Sequence, residues 1–148
     1  MGGYSIILER EKNMPKTILV VDDSFVMRTL IKDILSVDPE LQVIGEATNG
    51  IETLEKVKQL QPDLLLLDIE MPGMDGIECM KRLKLLSPCK VVIISSVAQA
   101  GSQQAMESRK LGAFDVISKP SGALSLDLKA KKGSDIVKIS RRAVGLPE

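Results

Sequence analysis

Short apolar segments alternate with amphipathic segments along most of the chain, and this alternation limits the possible folds more than any other feature of the sequence. One apolar segment, at 64–67, consists of four consecutive leucines. Such a run is typical of a strand in the centre of a parallel sheet, where helices cover both faces. We predict five strands, at 17–22, 41–47, 63–68, 90–95 and 113–118.

The segments between and after these strands carry apolar residues at the spacing of one helix face. Ser24 is the predicted N-cap of the first helix. The third helix is predicted over 77–86, the fourth over 99–112 with a thin apolar face, and the last after Ser134. Strands separated by helices of this length pair in parallel through right-handed crossovers. The sequence therefore predicts a single-domain α/β fold with a doubly wound, five-stranded parallel sheet of the flavodoxin type.

The length of 148 residues corresponds to one domain. We expect this domain to span 15–145, with 1–14 as an N-terminal extension or sequence added for expression, and 146–148 as a tail or the start of a linker. No apolar run approaches the roughly 18 residues of a membrane span, and the first residues lack the features of a signal peptide. The protein is therefore expected in the cytoplasm, without a membrane partner.

The composition excludes several classes of site. The chain has no histidine, which excludes Ser/His/Asp and Cys/His nucleophilic sites and histidine metal clusters. Twenty basic residues balance twenty acidic ones, and aromatic residues are scarce, so nothing supports nucleic-acid binding. Cys79 and Cys89 lack the spacing of a metal or redox motif. We expect both thiols to be buried or half-buried, in a reducing compartment.

Polar residues close or directly follow four of the five predicted strands, all at the same edge of the sheet. Asp22 and Asp23 close the first strand, Asp68 closes the third, Ser95 closes the fourth and Lys119 follows the fifth. In open α/β sheets the ligand crevice lies at this edge. Three carboxylates that meet there would repel each other unless a divalent cation screened them, and this number of oxygen ligands suits Mg²⁺. The sequence therefore predicts a magnesium site.

Four motifs at this edge resemble those of the response-regulator receiver domains of two-component signalling. They are LVVDDS at 19–24, LLLLDIEMPGMDG at 64–76, VVIISS at 91–96 and ISKP at 117–120. The resemblance covers about residues 16–145. It looks closest to the N-terminal regulatory domain of the chemotaxis protein-glutamate methylesterases, and it implies the strand order 2-1-3-4-5.

The resemblance also implies a phosphorylation site. Asp68 would be the nucleophile, and it would take a phosphoryl group from a phosphohistidine on a histidine kinase. Mg²⁺ would be held by Asp23, Asp68 and the backbone carbonyl of Glu70, with Asp22 acting through water. The implied partners are that kinase and a methylesterase catalytic domain or another effector.

Further roles follow from the same resemblance. Lys119 would pair with one phosphoryl oxygen, and the Ser95 hydroxyl would bond another. The Lys119-Pro120 peptide is expected to be cis. Receivers usually carry Tyr or Phe three residues before the lysine, where this chain has Val116. An aromatic is present at Phe114, which we interpret as a core residue at the entrance of the fifth strand.

Other interpretations stay open. A stand-alone receiver of the same lineage would share every motif and differ in having no attached effector. A Mg²⁺-dependent phosphohydrolase would also use Asp68 as its nucleophile, with Glu70 as an acid two residues later. A degenerate receiver would act only as an interaction surface. The catalytic half of a methylesterase is not in this chain, which has no histidine and no GxSxG motif. The expected chemistry is therefore limited to the receiver's own phosphorylation and dephosphorylation.

Overall fold

The computed structural model describes residues 14–95, 102–118 and 125–148, and within these ranges five strands alternate with five helices. The strands are Lys16–Val21 (β1), Leu41–Ala47 (β2), Leu64–Leu67 (β3), Lys90–Ser95 (β4) and Asp115–Ser118 (β5). The helices are Phe25–Ser36 (α1), Gly50–Leu60 (α2), Gly76–Leu83 (α3), Gln103–Lys110 (α4) and Ser125–Ala143 (α5). All neighbouring strands are parallel, in the order β2-β1-β3-β4-β5. The predicted fold class and the implied strand order are both confirmed.

The sheet separates two apolar clusters, one on each face. Because successive side chains of a strand point to opposite faces, Leu64 and Leu66 belong to one cluster and Leu65 and Leu67 to the other. Helices α1 and α5 cover the first cluster, and α2 and α3 cover the second. The four leucines of β3 are at most 1% exposed, which confirms the prediction of a strand covered on both faces.

Polar side chains immediately before four of the helices accept a hydrogen bond from the first turn. Ser24 accepts from the Met27 amide at 3.2 Å, which confirms it as the N-cap of α1. Asn49, Asp75 and Ser102 do the same for α2, α3 and α4. Each such bond satisfies an amide that the helix leaves unpaired and stabilises the fold by about 1 kcal/mol. The caps of α1 and α3 lie at the ends of the two loops that leave β1 and β3.

The prediction that the last helix begins after Ser134 is wrong. Helix α5 begins at Ser125, because the segment 126–132 (LDLKAKK) is rich in residues of high helix propensity. The helix continues through Gly133, a residue of low helix propensity, to Ala143. Ile136 and Ala143 of α5 are buried. None of the described helices is both long and apolar enough to cross a membrane.

The third helix and the fifth strand are shorter than predicted. Helix α3 ends at Leu83, and the Leu86 amide bonds to the Leu83 carbonyl three residues earlier, as in a tight turn. Strand β5 begins at Asp115, and the Phe114 amide donates to the Val91 carbonyl at 2.7 Å. The Phe114 side chain is 38% exposed, so its interpretation as a core residue is wrong. Because β5 is an edge strand, side chains at its entrance have a neighbouring strand on one side only.

Helix α4 buries little of its surface. Its buried residues are Ala105 and Ser108, which confirms the thin apolar face expected from the sequence. It begins at Gln103, and residues 99–101 of the predicted helix lie outside the described part of the chain.

A glycine at the start of α3 allows this helix to approach the loop that leaves β3. A Cβ atom at Gly76 would lie 2.4 Å from the Cα of Ile69, which is too close for any side chain. The Gly76 amide donates to the Ile69 carbonyl at 3.1 Å. The loop between β3 and α3 is therefore closed by a contact that only glycine permits.

At a second glycine, in contrast, the structure has room for a side chain. A Cβ atom at Gly133, inside α5, would meet the Ile34 side chain at 3.8 Å, an ordinary contact distance. We expect Gly133→Ala to raise the free energy of unfolding by about 0.5–1 kcal/mol, because alanine restricts the unfolded chain and favours the helix. The measurement is urea denaturation followed by far-UV circular dichroism.

Gly76→Ala is the matched comparison, since the same substitution should there cost about 1–3 kcal/mol through overlap with Ile69. A loss of stability in Gly133→Ala would contradict the continuous helix α5.

Candidate functional site

The register of the two central strands places two aspartates side by side. Val21 of β1 pairs with Leu67 of β3, and the next residues along the two strands are Asp22 and Asp68. The Asp68 amide donates to the Val21 carbonyl at 3.0 Å, which extends the pairing by one step. Asp22 is 2% exposed and Asp68 is 5% exposed. Two nearly buried carboxylates therefore lie next to each other at the carboxyl edge of the sheet.

Asp23 completes a cluster of three carboxylates. Among the described residues, one carboxylate oxygen from each of Asp22, Asp23 and Asp68 lies within 4.8 Å of the other two. Asp23 is exposed, so the cluster opens to solvent on its side. Magnesium–oxygen distances of about 2.1 Å let one ion bind directly to oxygen atoms up to about 4.2 Å apart, and its remaining waters reach others. The predicted acidic site is brought together, and its oxygen donors fit Mg²⁺.

The two buried carboxylates are oriented by amides of their own loops. Asp22 Oδ1 accepts a hydrogen bond from the Ser24 amide at 2.9 Å. Asp68 Oδ1 accepts one from the Glu70 amide, also at 2.9 Å. Aspartate commonly bonds the main chain two residues later at the start of a turn. The main chain of Glu70 therefore lies beside the cluster. The role of the Glu70 carbonyl as a metal ligand remains a prediction.

Ser95 is buried at the same edge of the sheet. The register between β3 and β4 places it one residue beyond the level of Asp68. It is 0% exposed, and its partner in β5 is Ser118, the last residue of that strand. Lys119 follows Ser118 directly in the chain. Lys119 itself, with the predicted cis peptide to Pro120, lies outside the described residues.

The position where receivers usually carry an aromatic lies near this edge. Val116 is half-buried and packs against the apolar cluster under α2 and α3. It pairs with Ile93 in the register of β4 and β5. An aliphatic side chain therefore fills part of the core at this position.

The sequence prediction missed one side chain that contacts the site. Arg28 of α1 donates from Nη1 to the Asp22 carbonyl at 2.8 Å and from Nε to Glu46 Oε1 at 3.1 Å. Glu46 also accepts from Lys32 at 2.9 Å. Hydrogen bonds from Lys32 and then Arg28 lower the pKa of the Glu46 carboxyl, although partial burial opposes them. An arginine beside the apolar stripe of a helix is normally solvated, so no sequence signal distinguishes Arg28.

The two cysteines do not belong to the acidic cluster. Cys79 is buried and Cys89 is half-buried, as predicted. Burial raises the pKa of the Cys79 thiol to about 12 and also raises the pKa of Cys89. Both groups are therefore thiols at neutral pH, which makes them poor nucleophiles and poor metal ligands.

The parallel fold and its acidic edge define a class of signalling domains, and comparison with known families agrees. The sequence profile of the response regulator receiver domain matches residues 18–131. This range contains Asp22, Asp23 and Asp68. The chain therefore belongs to the response-regulator receiver domains of two-component signalling, which confirms the resemblance seen in its motifs.

Similar proteins include chemotaxis methylesterases. The chain is 45% identical over 124 residues to the protein-glutamate methylesterase/protein-glutamine glutaminase 1 of Syntrophomonas wolfei, covering 84% of this chain and 35% of that protein. It is 47% identical over 123 residues to the protein-glutamate methylesterase/protein-glutamine glutaminase of Halalkalibacterium halodurans, covering 83% of this chain and 36% of that protein. The chain thus spans about a third of the length of these curated relatives.

Solved structures give the same picture. The response regulator domain of Thermotoga maritima CheB matches with a TM-score of 0.84 and 36% identity, over 90% of this chain and 99% of that chain. A chain in the structure of the P1 domain of CheA3 in complex with CheY6 from R. sphaeroides matches with a TM-score of 0.72 and 37% identity, over 90% and 99% of the two chains. The chain is thus a receiver related to the chemotaxis protein CheB.

The crowding of three carboxylates leads to a prediction for the metal. We expect MgCl₂ at about ten times its dissociation constant to stabilise the protein by about 1.4 kcal/mol, because Mg²⁺ would bind the folded cluster and not the unfolded chain. Asp23→Ala should remove most of this stabilisation. Differential scanning calorimetry with and without MgCl₂ measures it.

Asp33→Ala is the matched control, since Asp33 is an exposed aspartate on α1 that does not belong to the cluster. An equal response to MgCl₂ in wild type and Asp23→Ala would rule out the cluster as the metal site.

Proposed function

We propose that this chain is the phosphoacceptor domain of a chemotaxis response regulator, phosphorylated on Asp68 by a histidine kinase in the presence of Mg²⁺. Phosphorylation would regulate a methylesterase effector, either attached or separate, in the cytoplasm. One observation carries the proposal: the carboxylates of Asp22, Asp23 and Asp68 meet within 4.8 Å at the carboxyl edge of the sheet, with Asp68 at the end of the central strand.

In the proposed reaction the kinase supplies the phosphoryl group as a phosphohistidine, and this chain, which has no histidine, supplies the acceptor. A carboxylate oxygen of Asp68 attacks phosphorus and forms an oxygen–phosphorus bond, while the phosphorus–nitrogen bond of the phosphohistidine breaks. The electron pair of that bond stays on the imidazole, which is then protonated. The product is an aspartyl phosphate, a mixed anhydride that water can hydrolyse to restore the carboxylate.

The fixed orientation of the Asp68 carboxylate suits it for this role. The Glu70 amide holds its Oδ1 at 2.9 Å, so the carboxylate has a defined direction before any partner arrives. Phosphoryl transfer passes through a loose, charge-spreading transition state that depends on positioning and countercharge. An acceptor held by the main chain at a strand end supplies the positioning.

The countercharge would come from a metal and a lysine. Asp23, Asp68 and the Glu70 carbonyl would hold Mg²⁺, with Asp22 acting through a water molecule. When bound, a divalent cation neutralises negative charge on the phosphoryl oxygens. Lys119 would pair with a second phosphoryl oxygen, and the Ser95 hydroxyl would donate to a third.

The position of Ser95 supports its part in the proposal. It is fully buried at the end of β4 and pairs with Ser118, the residue before Lys119. A shift of Ser95 toward a phosphoryl group would therefore act on the ends of β4 and β5 together. These two strands lead into and out of α4, which has the thin apolar face described above.

Two of the similar proteins support the proposed partners. A chain that is 37% identical to this one comes from the structure of the CheA3 P1 domain in complex with CheY6, which supports a histidine kinase as a partner of this receiver. The methylesterase relatives are about three times as long as the matched region. Their names support a methylesterase as the effector that this receiver regulates.

The decisive test is phosphorylation of the purified chain. We expect acetyl phosphate with MgCl₂ to add one phosphoryl group, and Asp68→Asn to abolish the addition, because the amide is not a nucleophile toward phosphorus. Intact-mass spectrometry measures the adduct directly.

Asp75→Asn is the matched control. Asp75 lies in the same loop but caps α3, and asparagine caps a helix as well as aspartate does. Labelling that persists in Asp68→Asn would refute the assignment. Steady hydrolysis of a small phosphate ester over many turnovers would instead favour a phosphohydrolase.

A further inference from the structure

We infer that Arg28 is a positioning residue of the acidic site: its guanidinium fixes the peptide between Asp22 and Asp23 and so directs the Asp23 carboxylate toward the cluster. The inference rests on the proposed function, because it concerns the magnesium site of that proposal. It assigns a role to a side chain that lies on α1, outside the set of acidic, hydroxyl and amino groups predicted from the sequence.

The contact is made to the main chain of the site. Arg28 Nη1 donates to the Asp22 carbonyl oxygen at 2.8 Å. That carbonyl belongs to the peptide plane that also contains the amide nitrogen and Cα of Asp23. Holding the oxygen therefore limits rotation of the plane, and with it the direction in which the Asp23 side chain leaves the backbone.

The other polar groups of Asp22 are held from different sides. Its amide donates to the Ala47 carbonyl of β2 at 3.1 Å, and its Oδ1 accepts from the Ser24 amide. The Asp68 amide donates to the carbonyl of Val21, the residue before Asp22. The Asp22 carbonyl lies beyond this pairing between β1 and β3, and the bond from Arg28 supports it there.

Arg28 is itself held in place. Its side chain is only 11% exposed, and Nε donates to Glu46 Oε1 at 3.1 Å. The Phe25 ring covers the guanidinium, with 5.8 Å from the guanidinium carbon to the ring centroid. Lys32 bonds the other carboxylate oxygen of Glu46 at 2.9 Å. The guanidinium is thus held by Glu46 of β2 and by the Phe25 ring, and it bonds the loop that follows β1.

A substitution can separate the effect of the Arg28 guanidinium's geometry from the effect of its charge. A guanidinium is planar and donates in two fixed directions, whereas a lysine ammonium is a point charge on a flexible stem. Arg28→Lys keeps the positive charge but cannot reproduce both bonds in this arrangement. Lys32→Met is the matched control, because Lys32 shares the Glu46 carboxylate with Arg28, whereas the hydrogen bond to the Asp22 carbonyl comes from Arg28.

The experiment is a titration of the full chain with MgCl₂, followed by the backbone amide signals in NMR spectra. Arg28→Lys should weaken Mg²⁺ binding about tenfold, as loss of a residue that orients a metal ligand does. Lys32→Met should change it by less than about twofold, since its ion pair is partly exposed. In the metal-free protein, the ¹⁵N order parameter of the Asp23 amide should fall in Arg28→Lys and not in Lys32→Met.

A double variant tests whether Arg28 acts through Asp23. If it does, Arg28→Lys should have little further effect on Mg²⁺ affinity once Asp23→Asn has removed the directed carboxylate. Glu46→Gln provides a second route to the same question, because it loosens the hold on Arg28 and leaves the guanidinium itself intact. It should weaken Mg²⁺ binding in the same direction and by less.

The outcomes separate the two claims. Wild-type affinity in Arg28→Lys and in Glu46→Gln would overturn the inference and leave the proposed function standing. Equal losses in Arg28→Lys and Lys32→Met would also overturn it, because they would point to charge or stability and not to the contact with Asp22. Absence of Mg²⁺ binding by the wild type would overturn the proposed function, and the inference with it.

Discussion

The burial of β3 between two layers of helices is the constraint on which the rest of the structure depends. Its four leucines are at most 1% exposed, and burial of each leucine side chain stabilises the fold by about 1.5–3 kcal/mol. A buried strand must satisfy its main-chain groups on both sides, which requires β1 and β4 as parallel neighbours. Once those registers are set, the residues that follow β1 and β3 and the last residue of β4 meet at one edge.

The same constraint brings like charges together. Asp22 and Asp68 are nearly buried at neighbouring strand ends, and Asp23 lies within reach of both. Main-chain amides and the guanidinium of Arg28 orient this region, so the fold itself holds the carboxylates close together. Such a site is arranged for a ligand that brings positive charge, and the proposed magnesium-dependent phosphorylation uses this arrangement.

The elements with strong apolar patterns were predictable. The strands at 41–47 and 90–95 have the bounds expected from the sequence, and the cap of α1 is Ser24 as expected. The start of α5 was missed because the prediction began the helix after Ser134 and gave no weight to the high helix propensity of 126–132. The exposure of Phe114 was also missed, because a phenylalanine is expected in the core. Only the tertiary structure shows that β5 is an edge strand, which leaves the Phe114 side chain partly exposed.

The sequence by itself determined that Asp22, Asp23, Asp68 and Ser95 stand at strand ends, because apolar runs end at them and the crossover rule puts all such ends at one edge. Only the tertiary structure decided which groups support them. Arg28 reaches the Asp22 carbonyl, and Glu46 of β2 holds Arg28 from 18 residues away. The periodicity of apolar residues indicates which face of a helix is buried. It does not indicate which polar atom lies within 3 Å of another, because that distance depends on the packing of several elements at once.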